Sequence, residues 1–460
     1  MANNQSPDES RPLLSNGHGT DGQEHEDAGF LTIHHEGESH RSGFHPQHFL
    51  RITWRSSCTA SKYVNVLWPF AIIAIVLKIA VPHAGLWIFA MSYIAMVPAA
   101  NLVGFAGQEL ARKLPKVAGI LIETAFGGIV EIVLFIVLIA KHKPNQEGEN
   151  GDEGNLVPVI QAAILGSILT NLLLCLGLCF WIGGLRQQTQ SFHAVISERL
   201  LLGPQIRDHL PPHALHRPPI YAAKFTKEKL DNDVQRISQA TSIILIIAFV
   251  VYILYNARSQ HSIFDEVLEA DEHKDADHAE DLAKAKYTFT ECSVALIFAV
   301  ALVTILAYFL VEEIEEVVAA GVPDQFLGLI MLPLVEKAAE HLTAIDEAWD
   351  HQMNFALYHC LGPSIQTALF NAPLVVLVGW AMGKPDMDLN FEIFMIALLV
   401  LAILAVANFL RDGQSNYLEG FLLVMIYAIV AIASWFYPNP DVATSNGIQE
   451  ALGSGFVVVK

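Results

Sequence analysis

Long apolar runs, separated by short polar segments, make up most of the chain from residue 64 to residue 437. A helix needs about 20 apolar residues to cross the hydrocarbon core of a bilayer. Runs that reach or approach this length are 64–82, 85–104, 117–140, 157–183, 240–256, 289–311, 325–345, 355–382, 391–410 and 418–437. They lack the period-two alternation of a membrane barrel, and backbone polar groups in lipid must be satisfied within their own segment. The pattern therefore predicts an all-α polytopic membrane protein with ten clear transmembrane helices.

Polar segments around these runs predict five regions. The regions are a disordered cytosolic N-terminal tail (1–62), a first transmembrane half (63–256), an acidic cytosolic loop or helix (257–287), a second transmembrane half (288–438) and a C-terminal tail (439–460). The N-terminal tail is rich in Gly, Ser, Asp, Glu and His, and such a composition is typical of disorder. Its seven histidines before residue 50 fit a solvated tail better than a metal site.

Composition and charge agree with a membrane protein, because 53% of the residues are hydrophobic and only 16% are charged. The net charge of −20 lies largely in the tail and in the acidic segment, so it does not indicate a nucleic-acid partner. Basic residues before the first run and between the second and third runs predict a cytosolic N-terminus, with the acidic loop 141–156 on the opposite side. The five cysteines show neither disulfide nor zinc spacing, and we expect them to pack as small apolar side chains.

Two glutamates lie in the middle of apolar runs, one in each half. Glu131 follows "ETAFGGIV", and Glu340 lies within "LPLVEKAAEHLTAI". A charge at the centre of a helix in lipid costs roughly 2.5–3.5 kcal/mol on insertion scales, and such residues usually mark an ion path. One such glutamate is equally well explained as a protonated or hydrogen-bonded packing residue, but two in corresponding places favour an ion-binding site.

The run after each glutamate begins with a Leu-Gly pair and then carries polar residues. Ser167 and Asn171 follow the first glutamate, and Ser364 and Gln366 follow the second. Each of these residues alone fits a packing role in a membrane helix. Together with the two carboxylates and with carbonyls freed near Gly127, Gly128 and Pro333, they would suit a hard cation such as calcium, which takes six to eight oxygen ligands.

The charge of this site predicts how it would work. Two unpaired carboxylates at mid-membrane are unfavourable in the ionised state, so one divalent cation or protons must neutralise them. If only the neutralised forms change sides, the protein exchanges a cation for protons.

The segments "AFGGIVEI", "QAAILGSILTNLLLCLGLCFWIGGL", "QFLGLIMLPLVEKAAEHLTAI" and "LGPSIQTALF" closely resemble the calcium/proton exchangers of vacuolar membranes, within the cation/calcium exchanger superfamily. The resemblance covers about residues 60–437 and identifies the chain as a divergent member. It implies eleven helices, with two inverted five-helix repeats on either side of a cytosolic acidic helix.

The resemblance also implies an activity: transfer of calcium from the cytosol into an acidic vacuole, driven by protons. The protein would be a secondary transporter in the vacuolar or another acidic endomembrane and not an enzyme, with calcium and protons as its transported partners and no cofactor. Glu131 and Glu340 would carry cation and protons in turn, and Ser167, Asn171, Ser364 and Gln366 would line the site. The sequence does not decide the ion preference, the stoichiometry or whether the chain forms an oligomer.

The chain departs from the family pattern Gly-Asn-x-x-Glu in both copies. The first copy reads Gly127-Gly128, and the second reads Glu336-Lys337. Lys337 could pair with Glu336, fill the cation site as a tethered ion, or face away and snorkel. We expect the pair with Glu336, which leaves the site charge at −2. An altered ion preference or a non-transporting relative is the alternative function.

A second departure lies between residues 183 and 240, where the family has a fifth span. This segment holds no long apolar run and carries eight Arg or Lys residues between 186 and 236, so it is expected to stay cytosolic. A short re-entrant element, a truly divergent family member and a locally altered reading of the gene would each explain this, and the good match on both sides favours the last.

Two other classes of protein are consistent with parts of the sequence. An intramembrane metalloenzyme could use Glu340, His341 and His351, but the chain lacks an H-x-x-x-H motif. A cation channel would share the polar spans, but it would not need a pH gradient to accumulate calcium.

Overall fold

A computed structural model describes the chain in eight segments: 41–56, 59–114, 116–143, 155–187, 189–192, 227–259, 285–384 and 386–437. Predictions for most of the N-terminal tail, the missing fifth span within 193–226, the acidic segment 260–284 and the C-terminal tail fall outside these residues. Helices account for nearly all of the described chain.

The α-helices are α1 (Pro46–Arg55), α2 (Thr59–Val64), α3 (Trp68–Ala80), α4 (Gly85–Ala111), α5 (Lys116–Gly127), α6 (Ile129–Lys141), α7 (Val157–Leu169), α8 (Leu176–Arg186), α9 (Lys227–Ser259), α10 (Phe289–Glu312), α11 (Ile314–Ala319), α12 (Asp324–Phe326), α13 (Leu332–Trp349), α14 (Met353–Gln366), α15 (Ala372–Ala381), α16 (Ile393–Phe409) and α17 (Tyr417–Phe436). A 3₁₀ turn, Asn65–Leu67, joins α2 to α3. Two short strands, β1 (Gln190–Ser191) and β2 (Gln414–Ser415), complete the fold.

Helices occupy all ten predicted runs, and seven of the helical segments described are long and apolar enough to cross a membrane. Those seven are Ser61–Ala80, Gly85–Ala111, Val157–Arg186, Asp233–Tyr255, Phe289–Glu312, Met353–Ala381 and Tyr417–Phe436. The α5–α6 segment does not qualify because it is broken at Gly128, and α13 carries Glu336, Lys337 and Glu340. Helix α16 has only 17 residues. A multi-pass helical membrane protein is therefore confirmed, while the number of crossings is not settled by length and composition.

Three helices pass through a π turn, in which each hydrogen bond spans one residue more than in an α-helix. The π turns are Thr170–Cys175 between α7 and α8, Leu327–Met331 between α12 and α13, and Thr367–Asn371 between α14 and α15. Such turns occur frequently at functional sites, because they redirect the side chains that follow. The sequence analysis did not predict them.

Two glycines allow the backbones of α7 and the second π turn to touch. A Cβ atom on Gly166 would lie 2.2 Å from the carbonyl oxygen of Leu329, and one on Gly328 would lie 2.6 Å from Cβ of Ala162. Glycine supplies this close approach because it has no side chain. The contact joins the span after Glu131 to the helix that carries Glu340.

Burial differs strongly between the central and peripheral helices. In the Val157–Arg186 segment 89% of the most apolar window is buried, against 28% in Asp233–Tyr255 and in Tyr417–Phe436. The peripheral helices expose large apolar side chains such as Ile244, Ile247 and Ile429. Apolar side chains facing outward are expected where lipid, and not water, surrounds the helices.

The prediction of disorder for residues 1–62 is wrong for the part that the structure describes. Helix α1 buries His48 and Ile52, and Nδ1 of His48 lies 2.9 Å from Oε2 of the buried Glu291. Glu291 also forms a capping box with Thr288 at the start of α10. The composition of the tail gave no indication of this helix, because its partners lie more than 200 residues away in the chain.

The two strands form a short antiparallel ladder, with Gln190 opposite Ser415 and Ser191 opposite Gln414. The hydroxyl of Ser415 donates to Oε1 of Gln190 at 3.2 Å. The ladder connects the end of α8 to the start of α17, and two-residue strands are too short to show a pattern in sequence.

Candidate functional site

Each of the two glutamates lies just after an irregular stretch of helix. The α5–α6 helix is interrupted at Gly128, and Glu131 lies in the first turn of α6. Helix α13 begins after the π turn Leu327–Met331 with Pro333 in its first turn, and Glu340 follows two turns later. Proline lacks an N–H and glycine tolerates unusual backbone angles, so both residues allow a break without strain.

Glu131 is almost completely buried, with 1% of its surface exposed. The hydroxyl of Thr367 lies 3.0 Å from both of its carboxylate oxygens and donates to them. Because the single hydroxyl hydrogen of Thr367 is used in this way, Ser167 at 3.4 Å is the donor in the contact between the two hydroxyls. A chain from Ser167 through Thr367 thus fixes the first carboxylate.

Lys337 connects the two glutamates. Its Nζ lies 3.1 Å from Oε2 of Glu131 and 3.5 Å from Oε2 of Glu340, and only 2% of the residue is exposed. The expectation that Lys337 pairs with Glu336 is therefore wrong. Neighbouring residues of a helix point to different faces, whereas residues three apart, such as Lys337 and Glu340, lie side by side.

Glu336, also on α13, is the third carboxylate of the site and has no hydrogen-bond partner among the described residues. It is 3% exposed, and both of its carboxylate oxygens are unpartnered. A buried carboxylate without partners is strongly unfavourable in the ionised form. Such a group in a native fold requires an explanation, and a ligand that supplies the missing contacts is one.

Asn371 offers further unpartnered polar atoms, in the π turn that also contains Thr367. The side-chain amide of Asn371, at the end of the third π turn, is buried and has no partner on either its nitrogen or its oxygen among the described residues. A Cβ atom on Gly128 would lie 3.4 Å from that nitrogen, which places the amide beside the break before Glu131. The sequence analysis did not single out Asn371, although like Asn171 it is an amide within an apolar run.

Glu340 is less enclosed than Glu131. Its side chain is 25% exposed, and its Oε2 accepts no hydrogen bond although Lys337 lies 3.5 Å away. The next residue, His341, is buried, and its Nε2 lies 3.0 Å from Oδ1 of Asn171. Asn171 is thus held by α13, close in sequence to the second glutamate.

The remaining predicted residues are near in the fold but make other hydrogen bonds. The amide of Gln366 donates to the carbonyl oxygen of Thr124 at 2.9 Å, and Ser364 donates to the carbonyl oxygen of Cys360 at 3.2 Å. Gly127 ends α5, and a Cβ atom there would meet nothing within 4 Å. The structure therefore joins Glu131, Glu340 and Ser167 into one network. The other predicted residues Asn171, Ser364 and Gln366 form hydrogen bonds to neighbouring backbone or side chains instead, and Gly127 borders open space.

Two functional candidates were missed or misjudged from the sequence. Thr367 follows Gln366 directly and was not singled out, because nothing in the sequence indicated that it reaches Glu131. Lys337 occupies the position of asparagine in the second family motif, yet its four-carbon side chain crosses to the first glutamate. Both contacts depend on how the two halves pack together, which one sequence does not reveal.

The arrangement can bind a small cation. Three carboxylates and one ammonium group give a charge of −2 when all are ionised, and hydroxyl and amide oxygens lie beside them. In a low-dielectric interior this charge attracts a divalent cation or protons strongly. The intramembrane metalloenzyme considered from the sequence gains no support. Among the described residues, no metal-ligating cluster contains Glu340, His341 or His351.

Comparisons with known proteins show which family the chain resembles. The model of the family described as sodium/calcium exchanger protein matches residues 84–204 and 293–436. The chain is 32% identical over 392 residues to vacuolar cation/proton exchanger 5 of Arabidopsis thaliana, covering 83% of this chain and 82% of that protein. It is 28% identical over 356 residues to the vacuolar calcium ion transporter of Schizosaccharomyces pombe, covering 76% and 80% of the two chains.

Solved structures show the same fold. The native structure of YfkE superposes with a TM-score of 0.61 at 23% identity and covers 81% of this chain and 98% of its own. The H+/Ca2+ exchanger CAX superposes with a TM-score of 0.58 at 15% identity and covers 86% and 93% of the two chains.

Proposed function

The chain belongs to the sodium/calcium exchanger protein family, with vacuolar cation/proton exchangers among its relatives, and from this we propose that it is a secondary antiporter. It exchanges calcium, or a related divalent cation, for protons and so moves cytosolic calcium into the vacuole or another acidic endomembrane compartment. The relatives named as vacuolar exchangers and calcium transporters support both the ion and the membrane. The proposal needs calcium and protons as transported partners, with no cofactor and no bond-breaking step.

The observation that carries the proposal is the single ammonium group between two glutamates from opposite halves. Nζ of Lys337 lies within 3.5 Å of both carboxylates, so the two groups are close enough to share one cation. Calcium–oxygen distances are about 2.3–2.6 Å. A small inward movement of the two side chains around the position of Nζ would therefore complete a calcium site.

The charge balance accounts for exchange. The four ionisable groups Glu131, Glu336, Lys337 and Glu340 carry −2 in total when all are ionised, and either one divalent cation or two protons would neutralise that charge. Moving an uncompensated charge through the low-dielectric interior is unfavourable, so the neutral forms change sides most readily. Alternating occupancy by cation and protons then couples the two flows.

Lys337 acts in this scheme as a tethered counter-ion that calcium must displace. The ammonium group stabilises the two glutamates while neither calcium nor extra protons are bound. A lysine side chain is a flexible stem with a compact charge, so it can leave the site when a divalent cation enters. If Lys337 cannot be displaced, the chain is an altered-selectivity or non-transporting relative, and transport measurements decide between the two.

The other proposed cation ligands do not contact the two glutamates directly. Ser167 supports Glu131 through Thr367, and Asn171 lies against α13 through His341. Ser364, Gln366 and the carbonyl groups around Gly127 would turn toward the cation in another conformation of the exchanger. The breaks and π turns beside them favour such rearrangement, since freed carbonyls near a cavity are typical of transporter binding sites.

We also propose an inverted repeat for the two transmembrane halves, 63–256 and 288–438. A break precedes Glu131 and a π turn precedes Glu340, and each following span contains a π turn, at Thr170–Cys175 and at Thr367–Asn371. An eleven-helix arrangement would require the fifth crossing between 183 and 240. The N-terminal tail 1–62 and the acidic segment 257–287 would lie in the cytosol.

Calcium uptake into vesicles tests the function directly. The full chain is reconstituted in liposomes with an acidic interior, and uptake of radiolabelled calcium is followed. An antiporter accumulates calcium against its gradient and stops when an ionophore dissipates the pH gradient. A channel would equilibrate calcium whether or not the pH gradient is present, and absence of uptake in both conditions would refute transport of calcium.

A further inference from the structure

The structure brings three cysteines together in the interior, next to the candidate cation site. Sγ of Cys360 lies 3.3 Å from Sγ of Cys175 and 3.8 Å from Sγ of Cys179, and the three sulfur atoms all lie within 4.8 Å of one another. All three residues have no exposed surface. We propose that these three thiols form a second cation site, selective for thiophilic ions such as cadmium, zinc or copper(I).

The separations fit a shared metal ion. Zinc–sulfur bonds are about 2.3 Å long, so two thiolates in a tetrahedral site lie about 3.8 Å apart. One observed separation, 3.8 Å, matches this value and the other, 3.3 Å, is shorter, so side-chain rotation would complete the site. Thiolate ligands select soft ions, whereas carboxylate and carbonyl ligands select calcium.

The origin of the three thiols distinguishes this cluster from ordinary packing. Cys175 ends the first π turn and Cys179 lies one helical turn later in α8, but Cys360 comes from α14 in the other half. Small apolar packing would explain a cysteine on either helix. It does not require three thiols from two halves to direct their sulfur atoms at one point.

The occupied thiol site must carry little net charge, because it is fully buried. A divalent ion that replaces the protons of two thiols and accepts a lone pair from the third carries no net charge in the site. Two sulfur–metal bonds replace two S–H bonds, and two protons pass to the solvent. Affinity therefore rises with pH, as is general for thiolate metal sites.

A metal ion bound by the three cysteines would affect the candidate cation site through the first π turn. This turn begins with Thr170 and Asn171 and ends with Cys175, and Asn171 contacts His341 on the helix that carries Glu340. A metal that joins Cys175 to Cys360 links the two halves at this point. Soft cations would then restrain the exchanger, a consequence that rests on the proposed function.

Cadmium alone is the probe for binding. The full chain is purified in detergent with Cys58 changed to alanine and with excess calcium present, and the ultraviolet sulfur-to-metal absorption is titrated. One cadmium ion per chain should produce the band, and Cys360→Ala should weaken binding about tenfold or more, because one of three ligands is lost. Cys292→Ala is the matched control, since Cys292 is equally buried but lies in α10 outside the cluster.

Two results would overturn the site: no sulfur-to-metal band in the parent protein, or an unchanged titration after Cys360→Ala. If Cys360→Ala does not purify as a folded chain, Cys179→Ser provides the same readout from the other half. Glu131→Gln separates this inference from the proposed function. The variant should keep the cadmium band although calcium uptake is lost, and loss of the band there would overturn a sulfur site that is independent of the carboxylate site.

Discussion

The two half-sites differ in how firmly they hold their glutamates. Glu131 is closed from solvent and accepts two contacts from Thr367, whereas the side chain of Glu340 is 25% exposed and one of its oxygens accepts no hydrogen bond. The second half also carries Glu336 and Lys337 on the same helix. We infer that the first half supplies a fixed carboxylate and the second half supplies the mobile charges that respond to the ion.

The largest effect is expected when either central carboxylate loses its charge. Glu131→Gln and Glu340→Gln keep the shape of the side chain but remove the charge that binds calcium and protons. Calcium uptake driven by a pH gradient should fall to the level of empty vesicles for both. Asp412→Asn, an exposed carboxylate near β2, serves as the control and should transport normally. Full activity of Glu340→Gln would show that the second half-site lies elsewhere.

Removal of the tethered charge should have the next largest effect. Lys337→Asn leaves three carboxylates without an ammonium group, so the site should bind calcium more tightly and release it more slowly. The expected result is a several-fold lower maximal uptake with a lower half-saturating calcium concentration. The effect is large because removing one partner of a buried ion pair leaves an uncompensated charge, which costs about 3–5 kcal/mol.

The double variant Glu336→Gly with Lys337→Asn restores a charge of −2 and should recover uptake. This pair of changes also gives the second half the Gly-Asn of the family motif. If Lys337→Asn alone increases maximal uptake, the ammonium group blocks the cation in the natural chain and is not a displaceable counter-ion.

A smaller effect is expected when the support of the fixed carboxylate is removed. Thr367→Val keeps the shape but deletes the donor to Glu131, and a hydrogen bond to a charged group contributes about 1.5–3 kcal/mol. The half-saturating calcium concentration should rise about tenfold or more. Thr170→Val is the matched control, because Thr170 also lies in a π turn but contacts Tyr427 at 3.2 Å and not a carboxylate. Equal effects of the two variants would argue against a specific role for Thr367.

The smallest effect is expected at the break before Glu131. In Gly128→Ala the new methyl group would lie 2.2 Å from Nε2 of Gln366, so the amide must move and its hydrogen bond to Thr124 is disturbed. The variant should be less stable by about 1–3 kcal/mol, measured as a lower midpoint of thermal unfolding in detergent. Gly127→Ala next to it has open space and should change the midpoint little; a larger loss there would contradict this placement of the break.

The helices could be predicted from the sequence, and the two central glutamates could be singled out as candidates, because both depend on local patterns. An apolar run predicts a helix in lipid whatever surrounds it, and a carboxylate inside such a run is conspicuous. The same residues explain why α13 does not qualify as a span by length and hydropathy: the charges that indicate function also reduce its apolar character.

The contacts of the site could not be predicted in the same way. Lys337 was assigned to its neighbour Glu336, but in a helix it lies beside Glu340, and packing of the halves brings it to Glu131. Thr367 reaches Glu131 across 236 residues of sequence, and α1 is held by Glu291 across more than 240. Tertiary packing determines such pairings, and it produces no repeating pattern that could be recognised in one sequence.

The short ladder between β1 and β2 has a consequence for how the protein is made. Gln190 and Ser415 are 225 residues apart, and ribosomes extend chains at about 5–20 residues per second, so roughly 10–45 seconds separate the appearance of the two strands. Throughout this interval α8 lacks α17, the last helix among the described residues, against which it packs through Gly184 and Gly420. The first half must therefore wait in the membrane with one face uncovered, and this face is where insertion factors or lipids have to substitute for the missing helix during biogenesis.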